Sequence, residues 1–169
     1  MAISYLNLFA GKNKLLDGLI IFAARWLPFV AGVALVVIAY YKNRASIFLF
    51  PLLAALVSRF IFAEAVYLFW KRKRPSTFSE VKVLIPVPSN PSFPSAHASF
   101  FFAVAFTLFS RDTYLAIIFL LIALAISLAR VAAGIHWFGD IVAGLINGLV
   151  SALVTYYFII PWILHNLFY

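Results

Sequence analysis

Long apolar runs separated by short polar clusters set the frame of this chain. Leu19 to Tyr40 is the first run, interrupted at Pro28, and Ser46 to Trp70 is the second, with Arg59 and Glu64 inside it. Phe93 to Phe109, Tyr114 to Ala129 and Gly139 to Ile160 follow, divided by Ser110-Arg111-Asp112 and by Arg130 to Phe138. Apolar stretches of about 20 residues match a helix that crosses a bilayer. Because backbone groups in lipid must be satisfied within the segment, helices are expected rather than open strands. The pattern predicts an all-α fold: a polytopic transmembrane helical bundle of five spans plus an N-terminal interfacial helix.

The polar stretches complete that reading. Ile3 to Asp17 mixes Leu, Ile and Phe with Asn7, Lys12, Asn13, Lys14 and Asp17, too polar to span and patterned for the interface, which predicts an amphipathic helix over 1–18. Pro75 ends the second helix, and 76–93, with Pro86, Pro88 and Pro91, reads as a polar loop. The aromatic tail, Pro161 to Tyr169, reads as interfacial. No internal repeat is present and no length remains for a soluble unit, so residues 1–169 read as a single integral membrane domain. Five spans put the Arg74 loop, the start of the third helix and the turn from Arg130 to Asp140 on one membrane face.

Composition sharpens the class. Of 169 residues, 66% are hydrophobic and only 11% are charged, against about 25% charged in a soluble domain, and the mean hydropathy is +1.06. Thirteen Lys and Arg against five acids give +8. The basic residues sit at helix ends, so an anionic headgroup or substrate is the expected partner. No soluble basic face exists to lie along a nucleic acid. Cysteine is absent, which removes disulfide and thiolate chemistry. The first run has no cleavage pattern behind it and reads as a retained span.

Titratable groups at the edge of a hydrocarbon slab are costly and point to function. Two clusters stand out: Pro94-Ser95-Ala96-His97, and Arg130 through His136 to Asp140. A transferring phosphoryl group spreads charge over its oxygens, and the planar fork of Arg clamps such oxygens in pairs. Arg74 and Arg130 are the candidate clamps. His136 and Asp140 are four apart, so the carboxylate can reach the imidazole N–H and fix its tautomer, making His136 the nucleophile and Asp140 its orienter. His97 is left as the general acid. Ser95 and the N–H groups of Ala96 and His97 follow Pro94 at a helix start, where unpaired donors favour an anion.

The order Arg-Pro, then Pro-Ser-x-His, then Arg with His six later and Asp four after that, resembles the type-2 phosphatidic acid phosphatase superfamily, which also includes vanadium haloperoxidases. The resemblance spans Glu64 to Gly144. It implies a phosphohistidine on His136 oriented by Asp140, His97 as acid, Arg74, Ser95 and Arg130 as phosphate ligands, no metal or other cofactor, and a site on the extracytoplasmic face of the inner (cytoplasmic) membrane. Three positions depart from the pattern. Tyr67 stands where the first motif usually has Lys, Ala96 where the second has Gly, and Ala129 where a Ser precedes the arginine. Lys71 is the expected substitute cation, because Tyr67, Lys71 and Arg74 share one helix face if the helix continues. The run Asn7 to Asp17 is similar to the start of the bacitracin-resistance branch, whose members dephosphorylate undecaprenyl diphosphate. The same core serves lipid A 1-phosphatases and phosphatidylglycerophosphate phosphatases, which are the alternatives.

Other readings have less support. A serine-hydrolase triad of Ser95, His97 and Asp140 leaves Arg74, Arg130 and His136 idle. A metal site lacks ligands in a chain without Cys and with few acids. Arg59 and Glu64 read first as a pair within the bundle, Arg72 and Lys73 as a positive flank facing lipid, and His165 as interfacial. A non-catalytic lipid-phosphate binding or transport protein is the rival from another class. The charge count places more Lys and Arg on the site's face, which by the positive-inside rule favours the cytoplasm; a phosphate site needs cations on either side, and the orientation adopted is the family's.

Overall fold

Each long apolar run becomes a helix. The computed structural model describes residues 5–168, and the membrane-length helices are α1 (Lys14–Tyr41), α2 (Ser46–Phe69), then the shorter apolar α3 (Ala96–Leu108), α4 (Thr113–Ala132) and α5 (Phe138–Asn166). No strand occurs among the described residues. The chain is a multi-pass membrane protein.

The short helix α3 is the axis of the bundle. Phe102, Ala103, Ala105 and Leu108 are fully buried. Helix α5 lies against it through Gly144 and Gly148, one turn apart: a Cβ at Gly144 would come 2.6 Å from the Ala98 Cβ, and one at Gly148 2.7 Å from the Ala103 nitrogen. In lipid, where apolar surface gives helices little reason to associate, such small-residue stripes allow the close backbone approach that does. Polar stitches add to it. The Ser58 hydroxyl of α2 donates to the Ser99 carbonyl of α3 at 3.0 Å, and the Asn147 amide of α5 donates to the Ser58 carbonyl at 3.2 Å.

Helix α1 carries a wide turn at Phe22–Trp26, immediately before Pro28. Proline has no N–H to give the carbonyl four residues back, which here belongs to Ala24. That carbonyl accepts instead from Arg130 Nη1 at 3.0 Å. A helix fault in one span thus becomes an anchor for a site residue in another. On the opposite face Lys42, after α1, pairs with Asp112, whose carboxylate caps α4 by accepting from the Leu115 N–H at 3.0 Å.

Three boundaries differ from the sequence reading. The interfacial helix expected over 1–18 is divided: Tyr5–Phe9 forms a 3-10 turn, Asn13 caps α1 by accepting from Leu15 and Leu16, and Lys14 to Asp17 belong to the span. Met1 to Ser4 lie outside the described residues. The reason is Asn7, which is buried and donates to the carbonyls of Lys82 (2.7 Å) and Ala132 (2.8 Å), while accepting from the Lys82 N–H. Those bonds fasten the N-terminal turn onto the protein at the end of α4. The tail also differs, since α5 runs through Pro161 after a wide turn at Thr155–Ile159. Lastly, α2 stops at Phe69, and Trp70 is extended with φ −125° and ψ 90°.

The polar loop that follows α2 is tied down across its length. Leu84 N–H donates to the Ala133 carbonyl and Ser92 N–H to that of Arg72. Gly134, with φ +77°, turns the chain after α4, and a Cβ there would meet the Lys82 carbonyl at 2.6 Å. Only glycine fits both the left-handed backbone and the space.

Candidate active site

Four elements converge on one cavity of about 380 Å³, lined on its polar side by Arg74, Ala96, His97, Arg130 and His136 and on its apolar side by Pro28, Phe29, Phe100 and Phe101. His136 and Asp140 come from the turn into α5, His97 from the first turn of α3, Arg130 from the last turn of α4, and Arg74 from the loop after α2.

His136 is 2% exposed and its surroundings fix its protonation. Arg74 Nη1 lies 3.2 Å from His136 Nε2. A guanidinium has only donors, so Nε2 carries the lone pair and the proton sits on Nδ1. That N–H donates to the Ser92 carbonyl at 3.0 Å, with an Asp140 carboxylate oxygen at 3.4 Å. Burial, the largest cause, holds the imidazole down to about 4; the hydrogen bond to Asp140 pulls the other way, and Arg74 and Arg130 add to the depression. His136 is therefore a neutral base at physiological pH, with its reactive nitrogen in the cavity.

Asp140 is fully buried and would be costly there without partners. It accepts from the Ser92 hydroxyl, the Trp137 N–H at 2.9 Å and Arg72 Nη1 at 2.9 Å. The Arg72 guanidinium also stacks over the Trp137 ring, 5.6 Å from its centroid. Neither Arg72 nor Ser92 is a site candidate by sequence. One of three adjacent cations and a serine within an irregular loop carry no periodic signal.

The arginines differ in how they are held. Arg74 is 5% exposed, and all five of its N–H groups meet protein acceptors: the Asn90 carbonyl and side chain, the Pro91 and Ile135 carbonyls, and His136. Burial lowers its pKa from the ordinary value, but a guanidinium stays charged. Arg130 is equally buried, gives one N–H to Ala24, and keeps a buried Nε without a partner among the described residues. An unsatisfied buried donor costs about 1–3 kcal/mol, and an oxyanion in the cavity satisfies it.

The remaining predicted residues are placed as follows. Ser95 is buried and caps α3, its hydroxyl accepting from the Ala98 N–H, while its own N–H donates to the Asp140 carbonyl at 3.0 Å; it stands outside the cavity lining. Lys71 is exposed and lines a neighbouring cavity of about 500 Å³ with Arg72, Lys73, Ser76 and Thr77. The helix face expected for Tyr67, Lys71 and Arg74 does not form, because α2 has already ended, but all three line this neighbouring cavity, which His136 does not line. Tyr67 is buried, and its hydroxyl donates to the Pro94 carbonyl at 2.9 Å. Arg59 does line the His136 cavity.

Buried arginines around a neutral histidine with a carboxylate behind it form an arrangement that can hold a phosphoryl group and present a nucleophile to it. The PAP2 superfamily model matches residues 48–163, and this multi-pass membrane chain belongs to that superfamily. It is 26% identical over 161 residues to the bacitracin transport permease protein BcrC of Bacillus licheniformis, covering 92% of this chain and 78% of that one. Among solved structures it is similar to Aquifex aeolicus LpxE, with a TM-score of 0.67 at 21% identity over 89% of this chain and 90% of the other. It is also similar to a transmembrane PAP2-type phosphatidylglycerolphosphate phosphatase from Bacillus subtilis, with a TM-score of 0.60 at 21% identity over 89% and 79%.

Proposed function

We propose that the chain hydrolyses the terminal phosphate of a lipid diphosphate, with undecaprenyl diphosphate as the preferred substrate, at the extracytoplasmic face of the inner membrane and without a metal. The observation that carries this reading is the 3.2 Å contact of Arg74 Nη1 with His136 Nε2 in a cavity that also holds Arg130 and His97. The lipid choice rests on the branch to which the N-terminal run is similar and on the likeness to BcrC.

The phosphate enters the polar cup, its oxygens meeting Arg130 Nε and those N–H groups of Arg74 that exchange protein carbonyls for it. Nε2 attacks phosphorus, the bond to the bridging oxygen breaks with its electron pair on the leaving group, and His97, protonated once the negative charge of the bound phosphate lies beside it, supplies its proton to that oxygen. The phosphorylated imidazole is cationic and is stabilised by Asp140 and by the Ser92 carbonyl at Nδ1–H. Water, deprotonated by His97, then attacks phosphorus, and inorganic phosphate leaves with His136 neutral again.

Purified protein assayed on undecaprenyl diphosphate, lipid A 1-phosphate, phosphatidylglycerophosphate and phosphatidic acid tests the reading. Fastest turnover is expected on the diphosphate, with inhibition by orthovanadate and none by EDTA. His136→Ala is expected to reduce phosphate release by about 10⁴-fold or more. Turnover retained in that variant overturns the nucleophile assignment, and binding of all four lipids without turnover favours a recognition protein.

A further inference from the structure

One cation in the cavity has no task in this mechanism. Arg59 sits in a wide turn of α2 at Val57–Phe62, and its side chain reaches the cavity of His97, Arg130 and His136. Its guanidinium lies 5.8 Å from the Tyr67 ring centroid and 5.1 Å from that of Phe60. Its only ion-pair partner among the described residues is Glu64, whose side chain is 48% exposed. The contrast with the neighbouring arginines is chemical. Arg74 and Arg130 are held by buried backbone and side-chain partners, whereas Arg59 rests on ring faces and on one half-exposed carboxylate, a weak kind of partner. The phosphate nearer the lipid tail offers more acceptor oxygens than Glu64 and gains charge as the anhydride breaks, so it displaces Glu64.

We propose that Arg59 binds the phosphate that is not attacked, the one nearer the lipid tail, and neutralises the charge it gains as the anhydride breaks. The proposal rests on the reading of the site as a lipid diphosphate phosphatase. When Nε2 takes the terminal phosphorus, the electron pair of the broken P–O bond passes to the bridging oxygen, where Arg59 stabilises the developing charge until His97 protonates that oxygen and the lipid monophosphate leaves. Arg59, on the wall shared with Phe29 and Phe100, exchanges Glu64 for that group. With a lipid monophosphate as substrate the leaving group is an alcohol, and Arg59 has nothing to hold. Arg59 therefore sets the preference for diphosphate over monophosphate.

The test compares wild type, Arg59→Gln, Arg59→Lys and Glu64→Gln on prenyl diphosphate and prenyl monophosphate with the same tail, with thermal midpoints in detergent recorded for each. Arg59→Gln is expected to lower kcat/KM on the diphosphate by about 10–100-fold, the worth of a charge-assisted hydrogen bond, while the monophosphate rate changes little. Arg59→Lys restores most of the loss, and Glu64→Gln, which removes the competing carboxylate, lowers KM for the diphosphate alone. Equal losses on both substrates, or no rescue by Lys, overturn the role for Arg59 and leave the phosphatase reading standing. A wild type inactive on both substrates overturns that reading itself, and the inference with it.

Discussion

His136 is a base because of what Arg74 cannot do. Since the guanidinium never accepts a hydrogen bond, it holds the imidazole in the one tautomer that can attack, and burial keeps that imidazole from protonating until about pH 4. The consequence for pH has a definite sign. The folded pKa lies below the ordinary value of about 6.5, so the neutral, competent form persists on acidification, and the acid limb of kcat/KM is expected near pH 4 rather than near 6.5. Folding follows the same sign: the unfolded chain takes up a proton at His136 before the native one does, so this group's contribution to stability is full above about pH 6.5 and is lost as pH falls toward 4. A kcat/KM profile with its acid limb at 6.5 overturns the assignment of Nε2 as a buried lone pair. At this scale the sequence was a partial guide. The spacing of His136 and Asp140 brings them together as an i,i+4 pair must. Arg72 was not separable from Lys71 and Lys73, because the choice among them depends on where α2 stops, and extended backbone at Trp70 turns Arg72 toward Asp140. Ser92 was invisible because its role is partly that of its carbonyl, which any residue has.

The elements were legible to within a turn wherever hydrophobicity alone defined them. The exceptions are physical. Asn7 and Asn13 change the N-terminal stretch from a lipid-facing helix into a 3-10 turn and a cap, and hydrophobic periodicity does not register a side-chain amide that finds backbone partners 75 and 125 residues away. The wide turns beside Pro28 and Pro161 keep helices continuous where a proline would be read as an end. Between elements, the α3–α5 contact is the most demanding. Gly148→Leu would push a branched side chain into the Ala103 backbone, and the overpacking is expected to cost about 1–3 kcal/mol. The lower thermal midpoint in detergent should appear with substrate KM nearly unchanged, because no residue of α5 lines the cavity. An unchanged midpoint would mean that the two helices do not meet as closely as described.

For the whole molecule the open question is which way the bundle faces, and the cysteine-free sequence makes it easy to ask. Ser89 lies on the site's face and Arg44 on the opposite one, and both are exposed. Ser89→Cys is expected to react with a membrane-impermeant maleimide in intact cells, and Arg44→Cys only after permeabilisation. The reverse pattern puts the site in the cytoplasm, as the distribution of Lys and Arg favours. Either way, depth matters as much as side. Helix α3 has 13 residues, so it is about 20 Å long against about 30 Å of hydrocarbon, and the site at its N-terminus, beside the well-exposed Phe29, is expected to lie below the headgroup plane. A lipid phosphate is expected to reach such a cup by sliding sideways within its own leaflet. Encounter is then two-dimensional, and the rate follows the mole fraction of lipid phosphate in the membrane or micelle, so that inert detergent slows the enzyme by dilution even when the total substrate is unchanged.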